Sequence, residues 1–280
     1  DPGNSITFDN AILACKQKGT GWHLMTNAEW AAIALLSRKQ GFMARGNNNG
    51  GKDINVPSEK GVPSYIYSGA VGRTLTGSGP IAWSHDGTPF GVCDLNGNVW
   101  EWVAGLRLNV GEIQVLADNN AADNTKDQSA ASTEWKAILQ DGSLVAPGTA
   151  NTLKIDSPAA GKGVSENLGA PFINTAITNS MNPANTASTE YLGYGQTTFE
   201  TLAAKSGVTI PKILRLLGVA PAFADCGADL FYARNYGERC AVRGGFWGSG
   251  SNAGVFCLFL DSRRTSSYVS GGFRSAFVQL

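Results

Sequence analysis

Gly91-Val92-Cys93-Asp94-Leu95-Asn96-Gly97-Asn98-Val99-Trp100-Glu101-Trp102 is the stretch on which the fold turns. Its last residues read as a strand that opens behind the turn-forming Asn96-Gly97-Asn98. Trp100 and Trp102 stand two residues apart, so a strand presents both indoles on one side and Glu101 on the other. Two large aromatic groups facing one way are first of all core packing.

Working outward, short apolar clusters at Ile81–Trp83 and Cys240–Val242 predict further strands, each bracketed by turn residues. Two helices are predicted near the start. Asp9 or Asn10 caps a segment running through Ile12 and Cys15 to Gly19, and Thr26 with Glu29 forms a capping box for a helix over 27–40. Residues 41–80, with Gly46-Asn47-Asn48-Asn49-Gly50-Gly51, read as long ordered loop. From about Leu106 to Thr198 the composition shifts. Runs such as 118–124 and 182–188 hold few large apolar residues, which predicts long loops with at most a small hairpin. Helix signals return over Phe199–Ser206 and over Pro211–Leu217, where Pro opens the helix and Gly218 closes it.

The bulk numbers narrow the function. The 280 residues suffice for one large domain, here read as core segments 1–105 and 230–280 around an insertion over 106–229. The 22 basic and 22 acidic residues balance, so no long-range field draws phosphate backbones, and nucleic acid is not an expected partner. No apolar run reaches the roughly 20 residues of a membrane helix, so no membrane insertion is expected. The chain starts at Asp1 without Met, which leaves room for a removed leader or preceding module. The five cysteines (Cys15, Cys93, Cys226, Cys240, Cys257) contain no C-x-x-C pair and no adjacent His, and read as free or buried thiols. His23 and His85, the two histidines, face no identifiable nucleophile and read as structural.

Three segments taken together resemble the formylglycine-generating-enzyme and sulfatase-modifying branch of the C-type lectin fold. His23-Leu24-Met25-Thr26-Asn27-Ala28-Glu29-Trp30 is similar to that family's Arg-Leu-Pro-Thr-Glu-Ala-Glu-Trp, and Gly97-Asn98-Val99-Trp100-Glu101-Trp102 to its Gly-Asn-Val-Trp-Glu-Trp. The third runs from Arg243-Gly244-Gly245 to Gly272-Phe273-Arg274. The resemblance implies an α+β, loop-rich C-type lectin-like fold, with two helices around twisted antiparallel sheets and a long insertion. It also implies a structural calcium ion near Asn96, Gly97 and Glu101, although one carboxylate and a few carbonyls make a thin ligand set; no other cofactor is expected.

The last forty residues resemble the variable region of proteins diversified by retroelements, in which an error-prone reverse transcriptase randomises template adenines, mostly in Asn codons. Randomising the first two bases of an Asn codon never yields Lys, Glu, Gln, Met or Trp, and from Phe246 to Ser270 the one residue outside the permitted set is Trp247. The resemblance therefore implies a non-catalytic receptor-recognition protein, carried on a viral particle (tail) or a cell surface, that binds a protein or other surface ligand on a target cell. The positions expected to meet the ligand are Phe246, Gly248, Ser249, Asn252, Phe259, Asp261, Ser262, Ser266, Tyr268, Val269 and Ser270. Between them, Trp247, Val255, Phe256, Leu258 and Leu260 are expected to face the core, because side chains alternate along a strand. Exposed aromatic anchors among Ser, Gly and Asn have the composition of an antibody paratope. On this reading, Ala at Phe259 and Tyr268 removes binding and leaves the melting temperature nearly unchanged. Arg243 and Arg274 read as clamps whose forked guanidinium groups satisfy loop carbonyls.

Two other readings stand beside it. A calcium-independent carbohydrate-binding lectin is the alternative; none of the tripeptides of calcium-dependent sugar sites (Glu-Pro-Asn, Gln-Pro-Asp, Trp-Asn-Asp) occurs. An oxidase of the formylglycine-generating type needs a pair of thiolates for copper(I), and only Cys257 lies between Gly245 and Gly272.

Overall fold

A computed structural model describes residues 2–182 and 191–279; the run 183–190, which holds most of the polar stretch 182–188, lies outside the described residues. The architecture is α+β, mostly strand with few helices and a curled sheet. In chain order the first half holds α1 (Phe8–Lys16), β1 (Trp22–Leu24), α2 (Asn27–Lys39), the small hairpin β2 (Ile66–Tyr67) and β3 (Ala70–Val71), β4 (Trp100–Asn109), β5 (Glu112–Leu116), β6 (Trp135–Ile138) and β7 (Leu144–Val145). The second holds β8 (Lys154–Asp156), β9 (Phe172–Asn174), β10 (Gly195–Thr198), α3 (Lys212–Leu216), β11 (Leu230–Ala233), β12 (Glu238–Gly244), β13 (Gly254–Ser262), β14 (Gly271–Phe273) and β15 (Ser275–Phe277).

The main sheet runs β10-β11-β13-β12-β4-β5-β6-β7, with β14 parallel to β4 and β8–β9 branching from β5. Strand pairing aligns Tyr232 with Phe259, Phe259 with Val242, and Val242 with Trp102. These residues share one face of the sheet. The opposite face carries Phe231, Leu258 and Leu260 into the main core, with Trp30 and Ala34 of α2 and Leu214 of α3. A second cluster fills the first face, where Phe8 and Ala11 of α1 meet Trp102 and Val242; the Phe8 and Trp102 rings meet edge-on at 5.8 Å. Each fully buried large side chain contributes about 1.5–3 kcal/mol.

Helix α2 begins as the capping box predicts. Thr26 Oγ1 accepts from the Glu29 N–H, and the Glu29 carboxylate accepts from the Thr26 N–H at 2.8 Å. The same carboxylate meets buried His23 Nε2 at 2.9 Å. Burial alone lowers the His23 pKa, but the Glu29 hydrogen bond and charge and the Gly21 carbonyl outweigh it and hold it above 6.5. Burial raises that of Glu29, but His23 and Thr26 outweigh it and hold it below 4.5. The Glu29 contribution is present above pH 4.5 and is lost as pH falls through its lower folded value; that of His23 is present below pH 6.5 and is lost as pH rises through its higher folded value. Urea midpoints should therefore fall between about pH 5.5 and about pH 8.5, and His23→Gln should flatten that fall.

Four expectations are corrected. Helix α1 is capped by Thr7, whose Oγ1 accepts from the Asn10 N–H, and ends at Lys16 rather than Gly19. Ile81–Trp83 is a 3-10 turn, because Pro80 O accepts the Trp83 N–H and closes the chain on itself. Of Phe199–Ser206 only Phe199–Thr201 is helical; the backbone of 203–205 turns instead to Ile173 in β9. The region 106–198 is loop over most of its length, as expected, but it carries more than a small hairpin. It supplies the end of β4 and the whole of β5 to β10, and buries Ile113, Val115, Ile138, Leu153, Ile155 and Ile173 in the same core as Leu258. Its apolar residues come one or two at a time in short strands between Asn, Asp and Gly turns, so window composition hid them. No helix among the described residues is long and apolar enough to cross a membrane.

Candidate ligand-binding site

Strand β13 sorts its side chains as alternation requires. Leu258 and Leu260 are fully buried, whereas Phe259 and Asp261 are half-exposed on the other face. There the Phe259 ring is held between Tyr232, nearly parallel at 4.7 Å, and Trp100, tilted at 4.2 Å. Tyr232 stacks in turn on Tyr194 at 4.6 Å, and Trp100 on Phe246 at 6.1 Å. Trp247 closes the row edge-on to Phe246 at 5.4 Å. Six rings thus cross the sheet in one line, each side-on contact adding about 0.5–1.5 kcal/mol beyond area burial.

Beyond β13 the chain folds back over 263–270 and encloses an open cleft of about 610 Å³. Phe259, Asp261, Ser262, Ser266, Tyr268 and Ser270 line it, together with Trp100, Tyr191, Arg263, Thr265 and Ser267. Phe246, Gly248, Ser249 and Asn252 lie instead on a separate turn before β13, with Gly248 and Asn252 exposed, and Val269 is exposed without lining the cleft. Ser262 and Ser266 depart from the expectation that they face solvent: both are buried, with their hydroxyls bonded to Tyr268 Oη and Tyr191 Oη. Burial pushes the Tyr268 phenol upward, and burial likewise pushes the Asp261 carboxyl upward against the opposing pull of Arg234 and the Ser262 hydroxyl.

The backbone of both segments is held by residues outside them. Gly50 N–H donates to Trp247 O, Trp247 N–H to Asn98 O, and Gly250 N–H to Asn48 O. Arg73 donates to Val269 O at 2.9 Å, Trp100 N–H to Ser270 O, and Ser5 N–H to Tyr268 O and Gly271 O. Behind these contacts lies a buried knot of asparagines. Asn47 Nδ2 bonds Asn98 Oδ1, Asn48 Nδ2 bonds Asn96 Oδ1 and Asp53, and Asn98 exchanges bonds with the backbone of Thr74. The polar loop 41–80 is therefore a support for the turn at 246–250.

Residues singled out on other grounds belong to this support. Arg243, fully buried, donates to Asn27 Oδ1 and to the carbonyls of Leu217 and Gly218. Arg274 donates to the carbonyls of Cys93 and Asp94 and pairs through two nitrogens with both oxygens of Glu101. The carboxylate considered for calcium thus faces a guanidinium, Asn96 bonds Asn48 and Ala44 O, and Gly97 N–H bonds Gly244 O. His85 Nδ1 accepts from the Val92 N–H. All five cysteines are free thiols, and burial pushes Cys257 well above its ordinary value. Among the described residues no three His, Cys, Asp or Glu side chains gather as a metal-holding group.

Sequence reasoning assigned Trp100 to the core, and it also lines the cleft. It passed over Arg263, Thr265 and Ser267, although these lie in the same stretch and obey the same codon restriction. Tyr191 and Tyr232 come from distant segments and carry no local signal; only strand pairing brings Tyr232 beside Phe259.

The half-buried setting of Phe259 also revises the expectation for its removal. Phe259→Ala deletes two ring contacts and should cost about 2 kcal/mol, read as a lower urea midpoint, whereas Asn252→Ala on the exposed turn should stay within about 0.5 kcal/mol. No protein-family model matches the chain, and no curated protein matches it.

Proposed function

We propose that this chain is a ligand-recognition display protein with a C-type lectin-like architecture, whose C-terminal segment 246–270 forms a diversified binding face on a fixed scaffold. The observation that carries the reading is the division of labour in that segment. Its backbone is tied down by outside residues, while its non-core side chains line an open cleft or an exposed turn. A surface of half-exposed rings set among hydroxyls offers large contact area at small entropic cost, with adaptable hydrogen bonding around it. On this reading the partner is a surface molecule of a target cell, the chain performs no catalysis, and no cofactor takes part.

The test is a library with Gly248, Ser249, Asn252, Ser267 and Val269 randomised together. Most members should stay folded, with melting temperatures within a few degrees of the parent, and selection against unrelated proteins should return binders that compete with one another. A library that mostly fails to fold, or yields no binder, overturns the reading.

A further inference from the structure

Two sets of arginines in this protein stand in contrast. Arg38, Arg45, Arg107, Arg264 and Arg274 each pair with a carboxylate at ordinary ion-pair distance. Arg234, Arg239 and Arg263, gathered about Tyr191 and Asp261, have no such partner among the described residues. The guanidinium carbons of Arg234 and Arg263 each lie 5.0 Å from the centre of the Tyr191 ring. Arg234 donates to the Tyr232 and Tyr236 hydroxyls and to Leu192 O, and Arg239 to the carbonyls of Tyr236 and Asp261, so both are fixed by neutral groups. Each of the three also keeps one buried N–H that finds no acceptor among the described residues: Nε of Arg234, Nη2 of Arg239 and Nε of Arg263.

The nearby carboxylates do not settle this charge. Glu238 is committed to Arg107 and Arg264. Asp261 lies in the field of Arg234 and Arg239 and takes its side-chain hydrogen bond from Ser262. Among the described residues, positive charge therefore exceeds negative beside one wall of the cleft, where partial burial reduces screening. Of the three, Arg263 lines the cleft, and an Arg fork takes a carboxylate through two parallel bonds.

We infer that the cleft is built for an acidic peptide segment of a partner protein, with an Asp or Glu carboxylate docked on Arg263. The inference rests on the ligand-recognition reading above. A protein segment is favoured over an acidic sugar because the faces of Phe259 are taken by Tyr232 and Trp100, leaving edges, which suit a side-chain wedge better than the flat stacking of a pyranose. The Ser and Thr hydroxyls around the cleft suit the polar backbone of such a segment.

The test uses the whole chain and a fluorescein-labelled decaglutamate peptide, with decaserine as control and sialyllactose and inorganic phosphate as competitors. Decaglutamate should bind at least about tenfold more tightly than decaserine and weaken steeply with added salt. Arg263→Gln should lose about tenfold in affinity at unchanged melting temperature, whereas Arg215→Gln on the exposed side of α3 should lose nothing. Equal binding of the two peptides, or indifference to Arg263→Gln, overturns the inference. So does displacement of decaglutamate by sialyllactose or phosphate at lower concentration than by free peptide, which would reassign the site to an acidic sugar or a phosphate. A randomised library that folds and yields binders while the parent chain ignores decaglutamate would defeat this inference alone.

Discussion

Arg274→Met should lower the unfolding free energy by about 3–5 kcal/mol, because it leaves the buried Glu101 carboxylate without its partner. The same change strips the carbonyls of Cys93 and Asp94 of their donor. The double variant Glu101→Gln, Arg274→Met removes the stranded charge and should recover about 1–2 kcal/mol of that loss, measured by urea unfolding in a double-mutant cycle. Simple additivity of the two changes would show that the pair is not coupled. Because the guanidinium occupies both oxygens of Glu101, neither calcium nor a chelator should shift the melting temperature of the parent. A calcium-dependent rise would mean that the ion displaces Arg274.

Gly97→Ala should be comparably damaging. Gly97 has φ +75°, and a Cβ there would sit 2.1 Å from the carbonyl oxygen of Asn47, a backbone atom fixed within the asparagine knot. The strain of a left-handed alanine adds about 1–2 kcal/mol and the overlap about 1–3 kcal/mol more. Gly207→Ala is the control: its φ is +82° but its Cβ would meet nothing within 4 Å, so only the strain, about 1 kcal/mol, should appear. Equal losses at the two positions would show that the packing of the two loops contributes nothing.

The elements that carried a local signal were legible before any coordinates. The Thr26–Glu29 box started α2 where expected, Pro211 and Gly218 bracketed α3, and the two-residue period of β13 separated Leu258 and Leu260 from Phe259 and Asp261. What escaped were features created by distant pairing. Ile155 and Ile173 look isolated in their polar surroundings and become core only when β8 and β9 meet each other and β5. Tyr191 enters the cleft from a segment far from β13, and Ser266 is buried with its hydroxyl bonded to that of Tyr191. The candidate positions were drawn from one stretch of sequence, yet the fold divides them between a cleft and a separate turn, a division that no linear pattern encodes.

The turn at 246–250 is gripped largely through peptide groups: the N–H groups of Trp247, Ser249 and Gly250 donate to backbone carbonyls, and that of Phe246 to the Ser249 hydroxyl. Nineteen of the twenty genetically encoded amino acids own the backbone donor, so the carbonyl-held part of the grip is blind to nearly every side chain that codon randomisation can install. Proline is the exception. Scored across a selected repertoire, it should be the most depleted letter at Ser249, where Ser and Thr alone also keep a hydroxyl for the Phe246 N–H, a gap written by hydrogen-bond arithmetic rather than by any preference of the target.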